Sequence, residues 1–310
     1  MQVSSKVPPA FNGFSVLQYL SRRFTYLEQS DWEQLLRQGL IVCNGSPCAA
    51  TRQVAKGDVI GCELPEFEAP AVNLDYEIVY EDEWLLGINK PAGLRVHSSG
   101  KFVKANLIYH LRHCHQPPYP EASLVNRLDA DTSGLVLLAR NREAHSRLAQ
   151  LFVEGGMEKR YLAVVAGCPT PASGSIDLAI GPVSGAEIPR FRVGGPQTKP
   201  ALTHYRTLRQ LGKHFSLLEL QPATGRTHQL RVHLAAIGHA IAGDGLYTMN
   251  DADYLHWRRN PPPPTTWQRQ ALHSHQLQFL HPVLQTTCTL TAPLAGDIQQ
   301  LIRQLTAAAG

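Results

Sequence analysis

The segment Ser123–Arg140, SLVNRLDADTSGLVLLAR, gathers Arg127, Asp129, Asp131, Thr132 and Ser133 into a polar knot directly before an apolar run, Gly134–Ala139. A carboxylate in such a loop is fixed by rigid elements on both sides, which is what positioning for catalysis requires. The same spacing also suits a turn in which Asp129 or Asp131 does no more than cap neighbouring backbone amides. From this segment alone both readings stand open.

Histidines raise the question of metal chemistry. His228 and His233 are five apart, not at the i,i+4 spacing that places two ligands on one helix face, while His273 and His275 can share a strand face. No carboxylate or cysteine completes a set at a recognised spacing, so solvated or core histidines are expected and no metal. The six cysteines, Cys43, Cys48, Cys62, Cys114, Cys168 and Cys288, form no CxxC pair. Reduced thiols in a cytoplasmic protein are the simpler expectation.

The elements that must hold the polar knot follow from length and patterning. A chain of 310 residues with 43% hydrophobic and 17% charged residues has material for two domains and a sizeable core. No apolar run reaches the ~20 residues of a membrane-spanning helix, and MQVSSKVPPAFNGF lacks the basic-then-apolar layout of a secretory signal. A net charge of +4 leans only weakly towards a polyanionic partner.

Residues 1–12 read as a loose arm. Val16, Leu17, Leu20 and Phe24 recur at helical spacing, and Ser30 with Glu33 announces a second short helix through a capping box. Leu40–Cys43, then Asn44-Gly45, then Val59–Leu64 predict a hairpin-like pair of strands. Residues 13–64 thus form a small α/β module, and 65–75, with Pro65 and Pro70, read as a linker. From 76 to 310 the pattern is strand-rich, with predicted strands at Glu77–Tyr80, Leu85–Asn89, Gly134–Ala139, Tyr161–Ala166, His204–Leu208 and Phe215–Gln221. Helices are expected over Arg142–Phe152 and over Thr227–Ile237, the latter stopped by Gly238. Many strands with few helices between them predict an α+β fold on a mainly antiparallel mixed sheet. Thr248–Gln270, with Pro261–Pro264, reads as an irregular surface insertion.

Four further segments join the first in order: NKPAGLRVH (Asn89–His97), EKRYLAVVAG (Glu158–Gly167), ATGRTHQLRVHLAAIGHAIAGDGLY (Ala223–Tyr247) and ALHSHQLQFLHP with TAPL (Ala271–Pro282, Thr291–Leu294). Together they resemble the RluA-type pseudouridine synthase family across about 76–295. QGLIVCNG followed by KGDVIGCEL resembles the S4 RNA-binding domain over roughly 13–64, with Arg22, Arg23, Arg37 and Arg52 as its basic candidates.

The resemblance implies an isomerase acting on uridine in structured RNA, ribosomal or transfer. That reaction involves no redox change and no external group, so no cofactor is expected, and a monomer is the default expectation. The family's H-R-L-D-x-x-T-S-G motif reads Asn126-Arg127-Leu128-Asp129-Ala130-Asp131-Thr132-Ser133-Gly134 here, which makes Asp129 the nucleophile and puts Asn where His is common. The K-x-Y tyrosine falls on Tyr161 and the basic residue of T-G-R-T-H-Q on Arg226. Arg226 is then expected to pair with Asp129 and keep it ionised, and Tyr161 to stack on the target uracil. A base inside RNA must be flipped out to reach the carboxylate. Arg127 is the candidate to fill the vacated space, although pairing with a local carboxylate would also explain it. Leu230 is a candidate wall under the uracil or simply a core residue. A catalytically silent RNA-binding protein and a two-carboxylate glycosidase are the rival readings.

Overall fold

The computed structural model describes residues 2–24, 27, 29–63, 71–98, 102–183, 188–195, 197–261, 263 and 267–307. The chain divides into two compact units, one of Met1–Ala71 with His97–Ala105 and one of Val72–Val96 with Asn106–Gly310. Most of the expected linker, 65–70, lies outside the described residues.

In the first unit, strand β1 (Gln2–Lys6) and helices α1 (Val16–Arg23) and α2 (Gln29–Arg37) precede strands β2 (Ile41–Cys43), β3 (Ser46–Pro47) and β4 (Val59–Glu63). The strands form an antiparallel sheet in the order β1-β4-β2-β3. Asn44 and Gly45, at φ 53° and 82°, make the expected turn between β2 and β3. Val16, Tyr19 and Leu20 of α1 and Trp32, Leu35 and Leu36 of α2 bury their apolar stripes with Ile41, Cys43, Ile60 and Cys62. Two expectations are corrected. The arm at 1–12 contains the edge strand β1, whose polar sequence shows no apolar alternation and whose order comes from its ladder to β4. The capping box is made by Ser15 and Gln18 at α1, because Ser30 lies inside α2 and Glu33 instead accepts the side-chain amide of Gln29.

The second unit is α+β and mainly antiparallel. Its first half runs β5 (Glu77–Glu81), β6 (Leu85–Lys90), α3 (Leu107–His113), β7 (Ser123–Leu124), β8 (Ser133–Ala139), α4 (Arg142–Val153), β9 (Met157–Ala166) and β10 (Ser173–Asp177). There follow the hairpin β11 (Ile180–Pro182) and β12 (Phe191–Val193), then β13 (Leu202–Leu211), β14 (Phe215–Pro222) and α5 (Gln229–Ala236). The chain ends with α6 (Gly245–Thr248), α7 (Asp251–Arg259), β15 (Leu272–Leu280), β16 (Thr287–Thr291) and α8 (Gly296–Ala307). The large sheet is ordered β10-β13-β14-β9-β15-β8-β6-β5, with β16 beside β15 and β7 beside β8. Among the described strands only β8 and β15 run parallel.

Strand β8 explains how the sheet holds the site. All seven of its residues are buried, and the two-residue period splits them between two cores. Val136 and Leu138 join Leu86, Ile88 and Leu220 on one face, while Leu135, Leu137 and Ala139 pack with Ala144 and Leu148 of α4 on the other. The loop carrying Asp129 is therefore the lead-in to a strand clamped from both sides. The insertion expected to be irregular contains α7, capped by the Asn250 side chain, which accepts the Asp253 amide. Helix α5 starts two residues later than expected because His228 takes a left-handed conformation, φ 56° and ψ 19°.

Candidate active site

Asp129 opens into a cleft of about 310 Å³ beside the β8–β15 junction. Arg127, Leu128, Phe152, Lys159, Tyr161, Arg226, His228, Leu230, Arg231 and Leu272 line it with Asp129. The junction needs glycine at 134: φ is +103°, and a Cβ there would fall 2.2 Å from the Ser274 carbonyl oxygen. Opposite Ser274 on β9 stands Tyr161, so the loop, the parallel junction and the tyrosine share one row of the sheet.

Several bonds fix the loop. The ammonium of Lys90, buried at the end of β6, donates to the carbonyls of Pro91 (2.8 Å) and Ala130 (2.9 Å), and the Gly93 amide also donates to Ala130 (2.9 Å). Burial drives the Lys90 pKa down to about 7, against the opposing charge of Asp131. Asn126 is turned inward: its amide donates to Leu135 O and its carbonyl oxygen accepts the Leu137 amide at 2.6 Å. This bridge ties the chain to β8 where it leaves β7, and Asn126 also lines the cleft.

Two groups approach the Asp129 carboxylate. Arg231 Nη1 donates to Oδ2 at 2.8 Å, and His228 Nε2 stands 3.7 Å from the same oxygen. Among the described residues Oδ1 has no such neighbour, and Asp129 lines the cleft. Arg231 is itself gripped by buried Asp244, with Nε to Oδ2 and Nη2 to Oδ1 both at 2.7 Å, and its guanidinium lies 5.1 Å over the Tyr247 ring. Burial pulls the guanidinium pKa down, but Asp244 and Asp129 outweigh it and the value rises, so Arg231 stays charged. His228 is held by the Tyr247 hydroxyl at its Nδ1 (2.8 Å) and by the edge of Phe191. Burial lowers the His228 pKa from its ordinary value, against the pull of Asp129. Burial raises the Tyr161 phenol to about 12, with the Asp129 charge adding to it, so the tyrosine is a neutral flat surface and a hydrogen-bond donor.

The chain shares 34% identity over 309 residues with the ribosomal large subunit pseudouridine synthase D of Xylella fastidiosa, covering 94% of this chain and 88% of that protein. It is 33% identical over 296 residues to an RNA pseudouridine synthase of Bacillus subtilis described as uncharacterised, covering 91% and 93%. The family model for RNA pseudouridylate synthases matches residues 85–236. The chain belongs to the RNA pseudouridine synthase family. Similar solved structures include human RNA pseudouridylate synthase domain containing 4 (TM-score 0.57, 25% identity, 74% of this chain and 92% of that one). Human RNA pseudouridylate synthase domain containing 1 is also similar (TM-score 0.56, 28% identity, 75% and 95%).

The five residues expected at the site of this synthase, Asp129, Tyr161, Arg226, Arg127 and Leu230, all line the one cleft. One expected contact is corrected. The guanidinium on Asp129 belongs to Arg231, while Arg226 sends its Nε to the Pro200 carbonyl at 3.0 Å and remains exposed. The left-handed turn at His228 separates Arg226 from the helix, and the Arg226 amide is tied to the Gln229 side chain. A signal for Arg231 existed in the sequence: a charged residue between apolar positions on a buried helix must have a partner. Asp131 does not line the cleft, and its charge acts on Lys90 and Arg95. His233 is buried with Nδ1 on Thr203 Oγ1 and Nε2 on Leu178 O, away from His228. Among the described residues no group of three His, Cys, Asp or Glu side chains is placed to hold a metal, and no described helix is long and apolar enough to cross a membrane.

Proposed function

We propose that this RNA pseudouridine synthase uses Asp129 as its nucleophile on a uridine flipped out of structured RNA. The observation that carries this reading is the asymmetry at the carboxylate: Oδ2 is held by Arg231, Oδ1 has no partner among the described residues, and Asp129 lines one cleft with Tyr161, Leu230 and Leu272. Oδ1 adds to the ribose C1′ as the N1–C1′ bond breaks and its electron pair leaves with the uracil. The base turns on the Tyr161 face, C5 bonds to C1′ as Asp129 departs, and the C5 proton is lost while N1 gains one. Mass is conserved and the carboxylate is regenerated. Holding the nucleophile through one oxygen prepays the orientation that the reaction needs.

Arg127, exposed at the mouth of the cleft, is suited to occupy the space left by the flipped base. Arg226 and Lys159, also in the cleft lining, supply positive charge for the RNA backbone. The first unit, with Arg22, Arg23, Arg37 and Arg52 exposed, adds an S4-like RNA-binding surface. The names of the relatives favour large-subunit ribosomal RNA as the substrate. The test is tritium release from a large-subunit ribosomal RNA transcript labelled at uridine C5, with free uracil measured alongside. Release without free uracil supports the isomerase. Free uracil would mark a glycosidase, and RNA binding without release would mark a silent binding protein.

A further inference from the structure

Two segments distant in sequence must be held in register for Asp129 to meet Arg231: the loop 129–133, and the stretch Ala242–Asp244 whose carboxylate grips the arginine. The segment Trp267–Ala271, which follows α7, touches both. On the loop side, Arg269 Nη1 donates to the Asp131 carbonyl (3.1 Å) and Nη2 to Ser133 Oγ (3.4 Å). Gln270 Nε2 donates to Thr132 Oγ1 at 3.3 Å. On the other side, the Ala271 amide and Trp267 Nε1 both donate to the Ala242 carbonyl, at 2.9 and 3.3 Å. Gly243 is packed against this segment with no space for a side chain: at φ +77° a Cβ would fall 2.2 Å from Arg269 O and 2.4 Å from the Trp267 ring.

The Arg269 fork is itself clamped. Its Nε and Nη2 donate to Asp297 Oδ2 (2.6 Å) and Oδ1 (2.7 Å) at the start of α8, and its guanidinium lies 5.2 Å from the Trp267 ring. Asp297 is held below the ordinary carboxylate range, because burial, which raises it, is outweighed by the Arg269 bonds and charge. The guanidinium thus spends one edge on α8 and the other on the loop, which a lysine's single ammonium cannot reproduce.

We propose that Arg269, clamped by Asp297, is a positioning residue for the Asp129–Arg231 pair, setting the separation between the nucleophile's loop and the Asp244 anchor. The proposal rests on the reading of Asp129 as nucleophile. A strut that serves only folding would lower the melting temperature and leave turnover of the folded enzyme unchanged. A positioning residue lowers kcat at temperatures where the protein is fully folded, because a displacement of about 1 Å at a nucleophile costs on the order of 100-fold.

The experiment measures tritium release and RNA affinity for full-length wild type, Arg269→Ala, Arg269→Lys, Asp297→Asn and Asp129→Asn, well below their melting temperatures. The expected result is a kcat lowered roughly 10- to 100-fold in Arg269→Ala, with KM and RNA affinity within about twofold of wild type and the other two clamp variants in between. Wild-type kcat in Arg269→Ala beside an inactive Asp129→Asn overturns the positioning role alone, as does a change confined to KM. An active Asp129→Asn protein overturns the nucleophile reading and this proposal with it. Where Arg269→Ala does not fold, Asp297→Asn decides: it keeps the arginine on the loop and loosens only the clamp, so wild-type kcat there also overturns the proposal.

Discussion

Replacing Arg231 should separate stability from catalysis, because its guanidinium serves two carboxylates in different surroundings. Towards Asp244 it makes two 2.7 Å bonds to a carboxylate whose side chain is 1% exposed. Towards Asp129 it makes one 2.8 Å bond to a carboxylate that is 32% exposed. Arg231→Met strands the Asp244 charge in the core, and breaking a buried pair by removing one partner costs roughly 3–5 kcal/mol. For a unit of this size that is a fall in melting temperature of about 6–20 °C, at some 2–4 °C per kcal/mol. The half-exposed Asp129 keeps its solvation, so its loss falls on orientation and therefore on turnover, by about 100-fold. The double variant Arg231→Met/Asp244→Leu removes both buried charges and should recover most of the stability, as apolar replacements of buried ion pairs do. It should recover none of the turnover. Thermal unfolding followed by circular dichroism, with tritium release at 20 °C, reads both quantities. A double variant that regains wild-type turnover would refute the claim that Arg231 holds the nucleophile.

Two other outcomes follow from the geometry. If uracil stacks on Tyr161 as proposed, Tyr161→Phe keeps the flat face and should retain turnover within about tenfold, whereas Tyr161→Ala, which removes that face from the cleft lining, should lose about 100-fold or more; steady-state tritium release distinguishes them. Asp82 accepts from the Tyr80 hydroxyl (2.6 Å), from the Trp84 and Leu85 amides (both 2.7 Å) and from His281 (2.9 Å). Burial raises its pKa, but those bonds outweigh it and the folded value lies below the unfolded one. Its stabilisation is thus complete above the unfolded pKa of about 4 and is lost as pH falls through the folded value. The stability difference between wild type and Asp82→Asn should accordingly be constant above about pH 4 and shrink as pH falls from there through the folded value, as acid unfolding profiles would show.

How much of this was legible in the sequence depends on whether the determinant was local. Strand β8 was legible because its apolar residues run unbroken after a polar knot, and the expected strand misses only Ser133. The hairpin turn at Asn44-Gly45 was legible because its dihedral requirement is written in two residues. Asp129 and Tyr161 were named from motifs, and both open on the cleft. What stayed hidden was long-range. Arg231 and Asp129 are 102 residues apart in the chain, and helix phase decides which arginine arrives. That phase is set by a left-handed histidine that no periodicity foretells. The parallel pairing of β8 with β15, which makes Gly134 indispensable, joins strands about 140 residues apart. Strand β1 was unreadable because its order comes wholly from its partner, and α7 because the prolines after it coloured the whole insertion.

The claim that Asp129 is the nucleophile is tested most directly by comparing Asp129→Asn with Asp131→Asn in single-turnover tritium release, with RNA affinity measured on the same preparations. The two aspartates share one loop, yet only Asp129 lines the cleft. The expected result is RNA binding retained by both, release by Asp129→Asn lower by on the order of 10⁴-fold or more, and release by Asp131→Asn lower by about tenfold at most. Undiminished release by Asp129→Asn, or a greater loss in Asp131→Asn, would contradict it.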